Sequence, residues 1–159
     1  MNLRVSFVLA LCALSACSGM DTLTPSALDA AMKKWTAARI DSYRMIVDME
    51  GDKVEKEQFE VVVRDGSVAT LKRNGKDVAP GSSQDYSMIG LFRMLGQEMS
   101  LAEKPQVLGA PEGYSAYLMA TFDDRTGRLE RYRRTVGGAS NTINIIVSSF
   151  EPLEEGKAP

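Results

Sequence analysis

The sequence predicts an α+β fold in which two helices pack on one face of a mainly antiparallel sheet, in the order α-β-β-β-α-β-β-β. Three observations indicate this fold. Two segments repeat apolar residues at the helical period of about 3.6, other segments alternate apolar and polar residues, and turn-forming dipeptides separate the alternating segments. Because helices would cover only one face of this sheet, we expect the other face to contact water or a partner.

The N-terminal segment, residues 1–16, resembles the signal peptide of a bacterial lipoprotein. Two positive charges, the α-amine and Arg4, precede an apolar segment from Val5 to Leu14. This segment is about half as long as the ~20 residues that span a bilayer. Leu14-Ser15-Ala16-Cys17 resembles a lipobox, which implies cleavage before Cys17 and lipidation of that residue. The alternative is an ordinary secretory signal, with Cys17 as an incidental thiol.

Residues 17–24 are predicted to form a lipidated tether. On the lipoprotein interpretation, Cys12 is removed with the signal and Cys17 carries lipid, so the domain has neither a disulfide nor a free thiol. Ser18, by resemblance to enterobacterial lipoproteins, implies the outer membrane, facing the periplasm, if the source is Gram-negative. The segment from Ser18 to Thr24 reaches at most roughly 25 Å, so we expect the domain to act close to the membrane.

One domain is predicted over residues 25–150, and its helices have recognisable boundaries. The first helix is predicted from about Pro25 to Arg39, with Thr24 or Ser26 as its cap, and the second from Ser87 to about Leu101. The predicted apolar faces contain Leu28, Ala31, Met32, Trp35 and Ala38 in the first helix, and Met88, Leu91, Phe92, Leu95 and Met99 in the second.

Six strands are predicted, three before and three after the second helix. They are placed at residues 42–50, around 59–63, after the Asp65-Gly66 turn, and at residues 115–123, 128–135 and 142–150. Asp65-Gly66 is a strong hairpin signal, because both positions of the turn need positive φ. It would place Val63 opposite Val68 and Val61 opposite Thr70. The acidic segment 151–159 is predicted to be a disordered tail.

The composition excludes several classes of chemistry. The chain has no histidine, which rules out Ser-His-Asp and Cys-His catalysis and histidine-ligated metal sites. It has no Walker phosphate loop and no Gly-x-Gly-x-x-Gly motif. Acidic side chains number 21 against 19 basic ones, so there is no global signal for nucleic-acid binding. We therefore expect no enzymatic activity, no cofactor, no metal and no nucleic-acid partner.

Acidic residues are the remaining candidates for catalysis or cation binding. Asp123 and Asp124 are adjacent, as a carboxylate pair for glycoside hydrolysis would require, but neighbours at a strand end point to opposite faces. Asp124 instead suits the start of a turn. Five further acidic residues surround a predicted hairpin end and indicate a solvated edge rather than a metal site: Glu50, Asp52, Glu55, Glu57 and Glu60.

Arginine is concentrated in one segment, where Arg125, Arg128, Arg131, Arg133 and Arg134 fall within ten residues. On a regular strand Arg131 and Arg133 would share a face with Leu129, and Arg128 and Arg134 would lie on the opposite face. One interpretation is a solvated outer or edge strand whose charge blocks aggregation. The other is that Arg128, Arg131, Arg133 and Arg134 contact lipid phosphates or the acidic surface of a partner.

Several methionines fall on the predicted inner faces of the helices and strands. Filling of the core explains them in the simplest way. The functional alternative is an adaptable apolar groove between sheet and helices that holds a lipid or another hydrophobic ligand. The candidate lining residues of such a groove are Met45, Met49 and Met119.

Packing and turn residues along most of the chain form a further pattern: Trp35, Asp41–Arg44, Phe59–Val68 and Ile89–Phe92. In these residues the chain resembles a domain-of-unknown-function family of small bacterial lipoproteins and secreted proteins. The resemblance implies a location in the cell envelope and no known activity. We expect a non-enzymatic envelope lipoprotein that is anchored through the lipid on Cys17 and binds an envelope protein or supports an assembly. A carrier of a lipid or other hydrophobic ligand is the alternative.

Overall fold

The structure is a computed structural model that describes residues 19–78 and 85–153. Within these residues one antiparallel sheet contains eight strands, and two helices pack on one face. The strands are β1 (Asp21–Thr22), β2 (Tyr43–Gly51), β3 (Val54–Arg64), β4 (Ser67–Arg73), β5 (Lys76–Asp77), β6 (Ala116–Phe122), β7 (Leu129–Val136) and β8 (Ile143–Pro152). The helices are α1 (Pro25–Ala38) and α2 (Met88–Ala102), and a short 3-10 helix (Pro105–Leu108) follows α2. The predicted α+β fold is confirmed.

The last strand along the described chain, β8, lies in the middle of the sheet. The strand order from edge to edge is β1-β6-β7-β8-β2-β3-β4-β5. In β8, Ile146 is the register partner of Arg131 in β7 and of Asp48 in β2. The strands between the two helices therefore form one half of the sheet, the strands β1, β6 and β7 form the other, and β8 joins them.

The sheet extends beyond the predicted domain limits of residues 25 and 150. At its start, β1 pairs with β6 inside the predicted tether, and the Leu23 N–H donates to the Leu118 carbonyl at 2.9 Å. At its end, β8 continues to Pro152, the register partner of Tyr43, so the predicted tail begins as a strand. The signal segment, Cys17 and residues 154–159 lie outside the described residues.

Helix α1 begins where its sequence supplies a cap. The Thr24 hydroxyl accepts a hydrogen bond from the Ala27 N–H at 3.2 Å, and Pro25 occupies the first turn, where its missing N–H costs nothing. The residues that α1 buries are Leu28, Ala31 and Trp35. Met32 was predicted on this face but is 43% exposed, because α1 contacts the rest of the molecule along a narrow stripe.

Helix α2 has a buried cap. The Ser87 hydroxyl accepts from the Gly90 N–H at 3.0 Å and donates to the Asp85 carboxylate at 2.7 Å. The carboxylate also accepts the Ser87 N–H at 2.9 Å, so it fixes the orientation of the capping side chain. The predicted apolar face is confirmed: Met88, Leu91, Phe92 and Leu95 are buried, and Met99 packs against the core.

The core lies between the helices and the inner face of the sheet. Trp35 meets the Tyr43 ring edge-on, with 5.5 Å between ring centroids. The Tyr43 hydroxyl accepts a hydrogen bond from the Met88 N–H at 2.9 Å, and burial raises the pKa of this tyrosine to about 12. Met45 and Leu91 are fully buried. Their side chains fill the space at the middle of the sheet.

The hairpin between β3 and β4 contains a bulge that the sequence did not reveal. Asp65 and Gly66 both have positive φ, and Val63 pairs with Val68, as predicted. However, Val61 pairs with Leu71 rather than Thr70, because the register shifts beyond Val63. One extra residue in β4 thus changes every later pairing of the hairpin.

Candidate functional site

The outer face of the sheet, defined as the face opposite the helices, carries most of the exposed candidate residues. Two rows of residues cross β7, β8 and β2 on this face. The first row is Arg131, Ile146 and Asp48, and the second is Arg133, Asn144 and Glu50. The intervening residues, including Tyr132 and Ile145, are buried on the inner face. We call these six residues the outer-face rows.

The two arginines of the rows are exposed. Within residues 19–78 and 85–153, neither Arg131 nor Arg133 forms an ion pair with an acidic side chain. Arg131 and Asp48 lie two strands apart, which is about 10 Å between backbones. Both guanidinium groups therefore remain available to another molecule.

Asp48 provides negative charge on the other side of β8. Hydrogen bonds from Ser148 and Gln58 hold the pKa of this carboxyl below its usual range, and the Gln58 amide donates at 2.9 Å. The carboxylate is therefore ionised at neutral pH. Between the charges, Ile146 is 41% exposed, which is a large exposure for an apolar side chain in the middle of a sheet.

A bulge in β7 determines which residues reach the outer face. Thr121 pairs with Arg131 whereas Phe122 pairs with Leu129, so Glu130 has no partner of its own in β6. This extra residue places Leu129 on the inner face, where it is fully buried. The prediction that Leu129 shares a face with Arg131 and Arg133 was therefore wrong, because it assumed regular alternation.

Arg134 belongs to the interior and is not available to a partner. It is 5% exposed, and its guanidinium donates to both Glu98 carboxylate oxygens at 2.7 and 3.0 Å. Its other terminal nitrogen donates to Asn141 at 2.8 Å. Tyr132 donates to the same Glu98 carboxylate at 2.9 Å, and burial together with that negative charge raises the tyrosine pKa. The predicted external contact of Arg134 is thus replaced by an ion pair between β7 and α2.

Arg128 is also held by its own chain. Its guanidinium lies 2.9 Å from Glu130 and 3.7 Å from Asp123, and it sits over the Phe150 ring at 5.4 Å from the centroid. Of the four candidate contact residues, only Arg131 and Arg133 are both exposed and free of acidic neighbours within ion-pair distance in the described part of the chain.

Asp123 forms a turn, as predicted for this acidic pair, but the capping residue is Asp123 rather than Asp124. Its carboxylate accepts from the Thr126 hydroxyl at 2.7 Å, the Thr126 N–H at 2.8 Å and the Arg125 N–H at 3.2 Å. The hydrogen bonds from Thr126 lower the pKa of Asp123. Asp124 is exposed, and its backbone carbonyl accepts from the Lys34 ammonium at 3.0 Å.

The acidic residues at the hairpin end are spread over separate contacts. Glu57 pairs with Arg73, and Asp52 accepts the Thr142 N–H at 2.8 Å. Glu50 belongs to the outer-face rows. Among the described residues, no group of three or more acidic or cysteine side chains is arranged to hold a metal ion.

The three candidate groove methionines do not come together. Met45 is fully buried, and Met49 packs against the same core. Met119 lies on β6 and lines a separate open cleft of about 420 Å³ between β1, β6 and the end of α2. The other lining residues are Thr22, Leu23, Pro25, Met99, Ala102, Glu103, Ala116, Tyr117 and Leu118. Met99 was predicted only as a core residue, because the sequence does not show that α2 packs against β6 at this edge.

The comparisons add no functional information. No protein-family model matches the chain, and no curated protein is significantly similar to it. The resemblance to a family of small envelope proteins therefore stays a prediction. Over residues 19–78 and 85–153, neither helix has the length and apolar character needed to cross a bilayer.

Proposed function

We propose that this chain is a non-enzymatic lipoprotein of the cell envelope that binds a protein through the outer face of its sheet. The observation that supports the proposal best is the pair of exposed arginines, Arg131 and Arg133, on a face that neither helix covers. An exposed arginine without an acidic neighbour is well suited to a carboxylate on another molecule, because its planar fork can bind both oxygens.

The surroundings of the arginines have the composition of a protein interface. Tyr117, Met119 and Thr121 occupy the outer face of β6 beside the arginines, and Tyr117 is 62% exposed. Tyrosine, methionine and arginine are enriched at interfaces, where aromatic and arginine side chains contribute most of the binding energy. Ile146, on the other side of the arginines, adds exposed apolar surface.

The proposed anchor brings this face close to a membrane. Only three residues separate Cys17 from Asp21 at the start of β1, so the Cα atoms of these two residues lie at most about 14 Å apart. A lipid on Cys17 would hold the protein against the periplasmic surface of the outer membrane in a Gram-negative source. A partner of the outer face would then be an envelope protein with acidic residues near that membrane.

The anchor has its own test. Full-length protein and a Cys17→Ala variant are produced in a bacterial host, and membrane and soluble fractions are compared. The proposal requires that the unchanged protein is found in the membrane fraction and the variant in the soluble fraction. Mass spectrometry of the N-terminal peptide of the unchanged protein should show the added mass of fatty acids. Equal fractionation of the two proteins would refute the anchor while leaving the binding face to be tested separately.

Partner binding is tested by cross-linking in the envelope. A photoreactive amino acid replaces Tyr117 in the full-length protein, and the partner is identified in the cross-linked band. Arg131→Glu with Arg133→Glu should abolish the band. Arg93→Glu with Lys104→Glu is the matched control, because it makes the same change of charge at exposed positions on and after α2. A band that survives the first pair of changes would contradict the proposed binding face.

The cleft supports a second candidate function, the binding of a lipid or other hydrophobic ligand. Its volume of about 420 Å³ lies in the range of small-molecule sites. To test this, the Cys17→Ala variant is purified without detergent. Native mass spectrometry of this variant should then show an adduct with the mass of a lipid. Ala102→Phe, which narrows the cleft, should remove the adduct, whereas Ile89→Phe at an exposed position elsewhere on α2 should retain it.

A further inference from the structure

The charges of the outer-face rows are arranged symmetrically about β8. Arg131 and Arg133 lie one strand to one side, and Asp48 and Glu50 lie one strand to the other side at the same heights. Residues of β8 itself, Ile146 and Asn144, lie on the line between them. Within the outer-face rows, the positive charges therefore lie on one side of the central strand and the negative charges on the other.

This arrangement is complementary to itself. A two-fold axis that runs along β8, between two outer faces, would place Arg131 of one copy opposite Asp48 of the other. The same operation places Arg133 opposite Glu50, and each contact occurs twice, as a symmetric dimer interface requires. Ile146 would meet its own symmetry mate on the axis. We propose that the partner of the outer face is a second copy of this chain, packed face to face about an axis along β8.

The spacing of packed sheets allows these contacts. Two sheets pack about 10 Å apart, and their strand directions differ by about 30°, which the two-fold axis gives if it is inclined by about 15° to β8. At one strand from the axis, about 4.8 Å away, such a rotation displaces a residue by only about 2.5 Å. An arginine side chain can follow a displacement of this size, so twist does not destroy the pairing of Arg131 with Asp48.

The expected dimer is weak and sensitive to salt. A face five strands wide and about six residues high covers about 500 Å² on each copy. The total of about 1,000 Å² is at the lower limit for a specific interface. Four ion pairs contribute to it, and ionic strength of about 0.15 M screens charges beyond about 8 Å, so added salt should weaken the dimer. A common membrane anchor would favour this dimer by raising the effective concentration of the two copies.

This inference rests on the proposed function only because both use the outer face of the sheet. The dimer can be refuted while the proposed function is retained. The test co-expresses two full-length copies with different tags and measures their co-purification after mild detergent extraction. Arg131→Glu with Arg133→Glu in both copies should reduce co-purification by about tenfold, because like charges then face each other in both halves. Asp48→Lys with Glu50→Lys in both copies should have the same effect.

The decisive measurement combines the two variants. One copy carries Arg131→Glu with Arg133→Glu, and the other carries Asp48→Lys with Glu50→Lys. Every facing pair is then of opposite charge, so co-purification should return to the level of the unchanged protein. No co-purification of unchanged copies, or no recovery in the mixed pair, would overturn the proposal. If the mixed pair fails but Arg131 and Arg133 are still needed for a cross-link to another protein, the proposed function survives without the dimer.

A cysteine on the axis gives a measurement that needs no charge change. Ile146→Cys places two thiols opposite each other in the dimer, so mild oxidation of full-length protein in membranes should give a disulfide-linked dimer. Met32→Cys is the control, because it has similar exposure on the opposite side of the molecule. Equal cross-linking of the two variants, or no cross-linking of Ile146→Cys, would overturn the proposed axis. This result can be obtained even if the variants with changed charges do not accumulate in the cell.

Discussion

At the scale of single residues, Glu98 neutralises a buried charge. The side chains of Glu98 and Arg134 are 13% and 6% exposed, so the ion pair is largely shielded from water. Removal of one partner from such a pair leaves the other as an uncompensated buried charge. The Glu98 carboxylate also accepts the Tyr132 hydroxyl, so one side chain on α2 satisfies two groups on β7.

We expect Glu98→Ala to lower the free energy of unfolding by about 3–5 kcal/mol. Urea denaturation followed by circular dichroism measures this change. Arg93→Ala, at an exposed position of the same helix, is the control and should have little effect. If Glu98→Ala has an effect no larger than this control, the ion pair contributes nothing to stability.

Because of Asp123, the free energy of unfolding should vary with pH in the acidic range. Its pKa is lowered in the folded protein by Thr126, so its hydrogen bonds contribute fully above the unfolded value of about 3.9. The contribution is lost as the pH falls from that value through the lowered folded pKa. The difference in unfolding free energy between the unchanged protein and Asp123→Asn should therefore be largest above about pH 5 and shrink towards pH 2. A difference that is constant with pH would contradict this role.

At the scale of secondary-structure elements, the cap of α2 is buried within the fold. Ser87 is 7% exposed and satisfies the Gly90 N–H, which water cannot reach in its place. We expect Ser87→Ala to cost about 1–2 kcal/mol of unfolding free energy, at the upper end for a helix cap. Ser100→Ala, at an exposed site of the same helix, serves as the comparison in thermal or urea unfolding. Equal losses of unfolding free energy in the two variants would show that the Ser87 cap contributes no more to stability than an exposed serine of the same helix.

Local signals predicted most elements correctly. Caps, helical periodicity and turn dipeptides are properties of neighbouring residues, and α1, α2 and the hairpin at Asp65-Gly66 form where these signals lie. Bulges depend on the partner strand, so the sequence did not reveal the extra residue at Glu130. Strands of two residues, such as β1, are too short to show alternation.

The candidate site was predicted less well because its chemistry depends on distant residues. Arg134 meets Glu98, which lies 36 positions earlier in the chain. No local pattern distinguishes this arginine from the exposed Arg133 beside it. The symmetry of the outer-face rows likewise depends on β8 lying between β7 and β2, and that order is a property of the whole sheet.

At the scale of the whole molecule, β8 should make unfolding a single event. Trp35 on α1 packs against Tyr43 of β2 and Phe150 of β8, so its environment reports on the junction of the two halves. We expect Trp35 fluorescence and far-ultraviolet circular dichroism to change at the same urea concentration. Separate midpoints for the two signals would show that the halves of the sheet unfold independently.

The central position of β8 also has a consequence for biosynthesis. Residues 143–152 are made after every other described strand, yet they occupy the middle of the sheet. Until they leave the ribosome and, in an exported protein, cross the inner membrane, β2 and β7 each present an unpaired edge. Open edges of this kind pair readily with other chains. The growing polypeptide therefore depends on protection of these two edges, and the sheet can close only once β8 is available.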